Sequence, residues 1–136
     1  MASQNRPQKP QVGKNHSFWQ SWLHAWNGLK TVVIEERNMR THLVLGAVAL
    51  LVGWWCDLSV NQWLWLCLAI FLVMLCEINN TIAENICDLI TGPHYHPLAK
   101  KVKDIAAGAV VFSAAFAVLV GVILFGPIIW HWLMVR

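Results

Sequence analysis

Charge is what this sequence has least of. Asp, Glu, Lys and Arg together supply 12% of its 136 residues, where a soluble globular domain carries about 25%. A chain so poor in charge cannot cover a free-standing soluble monomer with polar groups. Its 57% hydrophobic content and mean hydropathy of +0.51 point the same way. The four cysteines, Cys56, Cys67, Cys76 and Cys87, stand singly with no C-x-x-C spacing. They read as small buried hydrophobes in a reducing compartment rather than as a disulfide framework or zinc site. Neither a G-x-x-x-x-G-K-[ST] loop nor a G-x-G-x-x-G run occurs, so the phosphate cradles of soluble nucleotide enzymes are missing. No internal repeat is visible, the length fits one domain, and a net charge of only +3 gives no reason to expect nucleic acid as a partner.

Long apolar runs are what the chain has instead. A polar segment over 1–15, with two prolines, reads as a flexible tail. From 18 to 34 the residues Trp19, Trp22, Trp26, Leu29 and Val33 recur at helical steps, the pattern of an amphipathic helix lying on a bilayer surface. Two uncharged runs of 14 residues, 43–56 and 63–76, follow. Each is short of the roughly 20 residues a span needs, unless its helix continues into the polar flanks. The run 105–130 is uncharged over 26 residues and can only be a membrane span. The predicted layout is a tail over 1–15 and a membrane domain over 16–136, with a surface helix at about 17–34 and spans at about 40–58, 62–89 and 104–130. Arg6, Lys9, Lys14, Lys30, Arg37 and Arg40 precede the first span, Lys100, Lys101 and Lys103 follow the second, and only Arg136 follows the third. The positive-inside rule then puts the amino terminus in the cytoplasm and the carboxyl terminus outside. Trp54, Trp55, Trp63, Trp65, Trp130 and Trp132 gather at the outer interface. In the third span Ala109, Ser113, Ala117 and Gly121 draw a stripe of small residues that favours close helix packing, and Gly126-Pro127 is expected to kink or end that helix.

Polar groups beside membrane segments are costly, so their placement carries information. Glu77, Asn80, Thr81, Glu84 and Asp88 are spaced so that, at about 100° per residue, they share an arc of roughly 100° on one helix. No lysine or arginine lies between 41 and 99 to compensate these carboxylates. Their repulsion calls for a cation. An all-oxygen donor set without histidine favours magnesium over zinc, with Glu36 able to supply a further ligand. Lysines on the same side suggest a nucleotide polyphosphate, hence phosphoryl transfer, with ion or proton transport the competing reading.

The motif Glu77-x-x-Asn80-Thr81-x-x-Glu84-x-x-x-Asp88, with Lys100-x-x-Lys103-Asp104-x-x-Ala107-x-Ala109-Val110 downstream and Glu36-x-Asn38-x-Arg40-x-His42 upstream, resembles the small integral-membrane prokaryotic lipid kinases. These are the diacylglycerol kinase and undecaprenol kinase family. His24-Ala25-x-x-Gly28 fits the family's surface helix, and the run His96-Pro97-Leu98-Ala99-Lys100 is closer to the undecaprenol kinases of Gram-positive bacteria. The resemblance covers about 17–127. It departs at Asn79, commonly apolar, and at Ile82-Ala83, commonly reversed; both positions lie off the polar face. The resemblance implies an all-α homotrimer of three-span protomers with an amphipathic interfacial helix, active sites shared between chains, and residence in the bacterial cytoplasmic membrane. It implies Glu77 as general base on a lipid alcohol and Asn80 as a positioning residue. Glu36 and Glu84 would hold Mg2+ against ATP. Lys103, Asp104, Tyr95, His96 and His24 would bind the nucleotide. Undecaprenol is the expected acceptor and diacylglycerol the alternative. A small proton-coupled transporter is the reading from a different class, and it leaves Lys103-Asp104 unexplained.

Overall fold

The computed structural model describes residues 17–134, so the tail read over 1–15 lies outside the described residues. Four helices account for nearly all of them: α1 (Phe18–Glu35), α2 (Arg37–Trp55), α3 (Val60–Thr91) and α4 (Pro97–Met134). The chain divides into two units, Met1–Thr31 and Val32–Arg136.

In the first unit the Ser17 hydroxyl accepts a hydrogen bond from the Gln20 amide at 3.2 Å and starts α1. Trp19, Trp22, Trp26 and Leu29 all stand exposed, an apolar stripe along one face of α1.

In the second unit the helical path breaks at Glu36, whose backbone is extended (φ −93°, ψ 114°). The Arg40 guanidinium donates to the carbonyls of Val33 and Ile34 at 3.2 and 2.5 Å, satisfying acceptors that the end of α1 leaves open. Along α2 the buried residues Met39, Gly46 and Gly53 recur every seven positions, and the two glycines form a seam against α3. A Cβ on Gly46 would stand 3.2 Å from Ile70 Cγ2, and one on Gly53 would stand 3.1 Å from both Leu58 Cδ1 and Leu66 Cδ2. These two glycines are therefore what lets α2 and α3 approach. The small-residue stripe expected on α4 contributes less: Ser113 is buried, but Ala109 is exposed and nothing lies within 4 Å of a Cβ built on Gly121.

Beyond α2, Ser59 opens α3, its amide donating to Gln62 Oε1 at 2.8 Å. The inward face of α3 carries Leu66, Ala69 and Val73, which join Leu58, Val120 and Leu124 in the core. Gly92 ends the helix with φ +57°, a left-handed conformation open to glycine, and its amide donates to the Asp88 carbonyl at 2.9 Å. Pro97 then starts α4 with the fixed φ a first helical turn needs. His96 precedes it as a cap, Nδ1 accepting from the Leu98 amide at 3.2 Å. The proline-started helix carries Lys100, Lys101, Lys103 and Asp104 on its first turns, ahead of the uncharged run. α4 also continues through Pro127 to Met134 rather than ending there.

Two of these helices, α3 and α4, are long and apolar enough to cross a membrane. Large apolar side chains such as Phe112, Val111 and Val122 point outward from α4, as a lipid-facing surface requires. The 32 residues of α3 extend about 48 Å at 1.5 Å per residue, against a hydrocarbon core of about 30 Å. The polar end of α3 must therefore project beyond the hydrocarbon. From Val60, Glu77 lies about 26 Å along the axis, close to the boundary.

Candidate active site

The first part of the polar ladder, Glu77, Asn80 and Thr81, is turned away from solvent, whereas Glu84 is half-buried and Asp88 exposed. It continues the inward stripe of α3, so that Leu66, Ala69, Val73, Glu77, Asn80, Thr81 and Cys87 are all buried on one side of one helix. Glu77 is 1% exposed, and its Oε2 has no hydrogen-bond partner. Asn80, one turn on, is 8% exposed; its Nδ2 donates to Glu84 Oε1 at 2.9 Å while its Oδ1 is unpartnered. The Thr81 hydroxyl is spent on its own helix, donating to the Glu77 carbonyl at 3.1 Å. Two adjacent buried oxygens without partners are a costly arrangement for stability alone.

The α2 seam brings a second set of groups to the same place. Gly46 contacts Ile70 and Met74, so one turn earlier His42 stands level with Met74 and Glu77, and Asn38 stands a turn beyond. Accordingly His42, Glu36 and Glu84 lie within electrostatic reach of the Glu77 carboxyl, and the Asn38 side chain approaches it. Glu36, Glu77, Asn80 and Glu84 thus gather at one end of the bundle. Among the described residues no three His, Cys, Asp or Glu side chains form a closed metal cage. Glu36 and Glu84 are half-buried carboxylates. Such an all-oxygen pair fits magnesium, which keeps water and substrate phosphates in its remaining positions.

A second cluster lies at the turn between α3 and α4. Asp88, His94, Tyr95, His96, Lys100, Lys103 and Asp104 surround an open cavity of about 560 Å3. Lys103 Nζ donates to Asp88 Oδ1 at 2.6 Å, and Lys100 pairs with Asp104 one helical turn away. These hydrogen bonds raise the pKa of both ammonium groups above the ordinary lysine value, in turns of α4 that precede its apolar segment. Both pairs are open to solvent and contribute little to stability. Lys103 also changes the account of the ladder: the cation compensating Asp88 comes from α4, across the Gly92 turn, so Asp88 needs no metal. His24 belongs to the first unit, exposed on α1. Asn79 returns its amide to the Leu75 carbonyl at 2.8 Å and Ile82 is exposed, so neither departure from the family pattern touches the buried face.

Sequence reasoning missed His42 and Asn38 as neighbours of Glu77. Both stand in the quoted Glu36-x-Asn38-x-Arg40-x-His42 segment, four residues apart and hence on one helix face.

The fold is that of a membrane protein with polar groups gathered at one end of a helical bundle, and the family it matches makes it a lipid kinase that uses ATP. The chain belongs to the prokaryotic diacylglycerol kinase family, whose model matches residues 23–125. It is similar to the undecaprenol kinase of Bacillus subtilis (strain 168), 37% identical over 81% of this chain and 89% of that protein. It is also similar to the diacylglycerol kinase of Synechocystis sp., 39% identical over 74% of this chain and 58% of that protein. The diacylglycerol kinase of Escherichia coli (strain K12) is 32% identical over 74% of this chain and 82% of that protein.

Proposed function

We propose that this chain transfers the γ-phosphoryl group of ATP to the hydroxyl of undecaprenol at the cytoplasmic face of a bacterial cell membrane. The observation that carries the site assignment is the buried Glu77 carboxylate, its Oε2 unpartnered at the apolar boundary. Similarity to the Bacillus undecaprenol kinase over 89% of its length supports the acceptor, as does the His96-Pro97-Leu98-Ala99-Lys100 run. Diacylglycerol is the second acceptor to consider, favoured by the Synechocystis and Escherichia relatives.

In this reading α2, α3 and α4 all span the membrane, with α1 on its inner surface, the amino terminus inside and the carboxyl terminus outside. Three chains assemble with shared sites. Glu77 accepts the proton of the lipid hydroxyl, whose oxygen attacks the γ-phosphorus while the bond to the bridging oxygen breaks and ADP leaves with that electron pair. Asn80 orients the reacting groups through its free Oδ1. Glu36 and Glu84 would hold magnesium, which would offset the charge of the phosphates. Lys103 exchanges Asp88 for a phosphate oxygen, and Asp104, Tyr95, His96 and His24 contact the nucleotide. Because ATP comes from water and the alcohol from lipid, a site at the boundary supplies catalysis largely by positioning the two. Offering undecaprenol and diacylglycerol at equal mole fraction in mixed micelles tests the acceptor. Undecaprenol should take most of the labelled phosphate, and a strong preference for diacylglycerol would reverse the assignment.

A further inference from the structure

One cavity of the membrane bundle reaches inward from His42, apart from the cluster at the turn between α3 and α4. It measures about 240 Å3 and runs between α2, α3 and α4, lined by Gly46, Ala49, Ala69, Ala117 and Gly121 among other apolar residues. His42 is the one polar side chain in that lining. It is half-buried, and among the described residues no hydrogen bond holds its ring. The α2–α3 register places it level with Glu77, and the two lie within electrostatic reach. A buried carboxylate oxygen without a partner and a histidine lining an apolar cavity therefore stand at the same level of the bundle. A donor-capable ring in such surroundings needs a partner that the folded chain does not supply.

We infer that His42 binds the hydroxyl group of the lipid alcohol, seating it between the apolar cavity and Glu77. The inference rests on Glu77 as the base of a lipid kinase and adds a substrate-binding residue to it. An alcohol oxygen has four directions to satisfy. Its carbon leads back into the cavity lined by Gly46, Ala49 and Ala117, and its proton points to Glu77 Oε2. A ring N–H of His42 donates to one lone pair, which leaves the other free for the γ-phosphorus. During transfer the O–H bond breaks toward Glu77, the new P–O bond forms from the free lone pair, and ADP departs with the electrons of the broken P–O bond. His42 keeps its own proton throughout, so its task is to hold the oxygen rather than to accept its hydrogen.

The test compares His42→Gln, which keeps an N–H donor, with His42→Phe, which keeps ring volume and loses the donor. Full-length protein in detergent micelles is assayed with undecaprenol and with diacylglycerol, varying lipid and ATP separately. His42→Phe should raise the apparent KM for the lipid about tenfold, the scale of one lost hydrogen bond, and leave the KM for ATP within about twofold. His42→Gln should recover most of that loss. Gly121→Leu, which fills the open side of the cavity, should also weaken lipid use while sparing ATP. A residue that merely packs would give the opposite order, with His42→Phe near wild type and His42→Gln impaired, and that result overturns the inference. Wild-type protein that phosphorylates neither lipid overturns the kinase reading itself, whereas an active wild type with an unaffected His42→Phe overturns only the role of His42.

Discussion

Replacing Glu77 by Gln changes one oxygen to an amide nitrogen and removes the carboxylate's basicity while keeping its shape. At 1% exposure the position is closed to bulk water, so no solvent base can take over the proton. Loss of a positioned general base costs about 10²–10⁴-fold in rate, and the closed site argues for at least 10²-fold, or roughly 2.7 kcal/mol of transition-state stabilisation. Stability should move the other way or not at all. The wild-type Oε2 is buried without a partner, and neutralising a buried, uncompensated group relieves a desolvation cost. The assay is phosphoryl transfer from labelled ATP in micelles at saturating lipid, run beside nucleotide binding and a thermal inactivation curve. The expected outcome is a rate at least about 10² lower, nucleotide binding retained, and a midpoint equal to or above wild type. Wild-type turnover in Glu77→Gln would refute the role of Glu77. A rate loss with a lowered midpoint and lost nucleotide binding would reduce it to a structural part.

Other substitutions probe the rest of the account. Gly53→Val forces methyl groups against Leu58, Leu66 and Trp63 and should destabilise the chain by about 1–3 kcal/mol in denaturant inactivation. Gly121→Ala, at an open position, should be neutral or stabilise by up to about 1 kcal/mol through helix propensity. Lys103→Ala frees Asp88 and removes a phosphate contact, so the KM for ATP should rise about tenfold or more with the lipid KM unchanged; an unchanged ATP KM would confine Lys103 to its pair with Asp88. Mixing Glu77→Gln chains with Glu84→Gln chains should restore activity if the two residues reach one site from different protomers, and strictly additive inactivity would argue against shared sites.

The polar ladder was legible because helical periodicity converts spacing into a shared face, and Glu77, Asn80, Thr81 and Glu84 needed nothing more. The span in α4 was legible from its uncharged length. Other features depend on contacts that periodicity does not encode. Gly46 and Gly53 are ordinary residues of an apolar helix until Ile70 and Leu66 are placed against them. Lys103 and Asp88 are fifteen residues apart and meet only because Gly92 turns the chain and Pro97 restarts it as a helix. His42 gains its relation to Glu77 from the α2–α3 register. The small-residue stripe of α4 shows the reverse case, a pattern plain in sequence that packs little within the chain.

The most direct measurement of the central claim, that the buried face of α3 joins a lipid alcohol to ATP, is labelled phosphate transfer by the purified protein. It is run with magnesium, and undecaprenol and diacylglycerol are offered side by side. The account predicts a phosphorylated lipid, mainly undecaprenyl phosphate, formed in proportion to protein and lost in Glu77→Gln. Failure on both lipids, with the assembly intact and magnesium present, would contradict it.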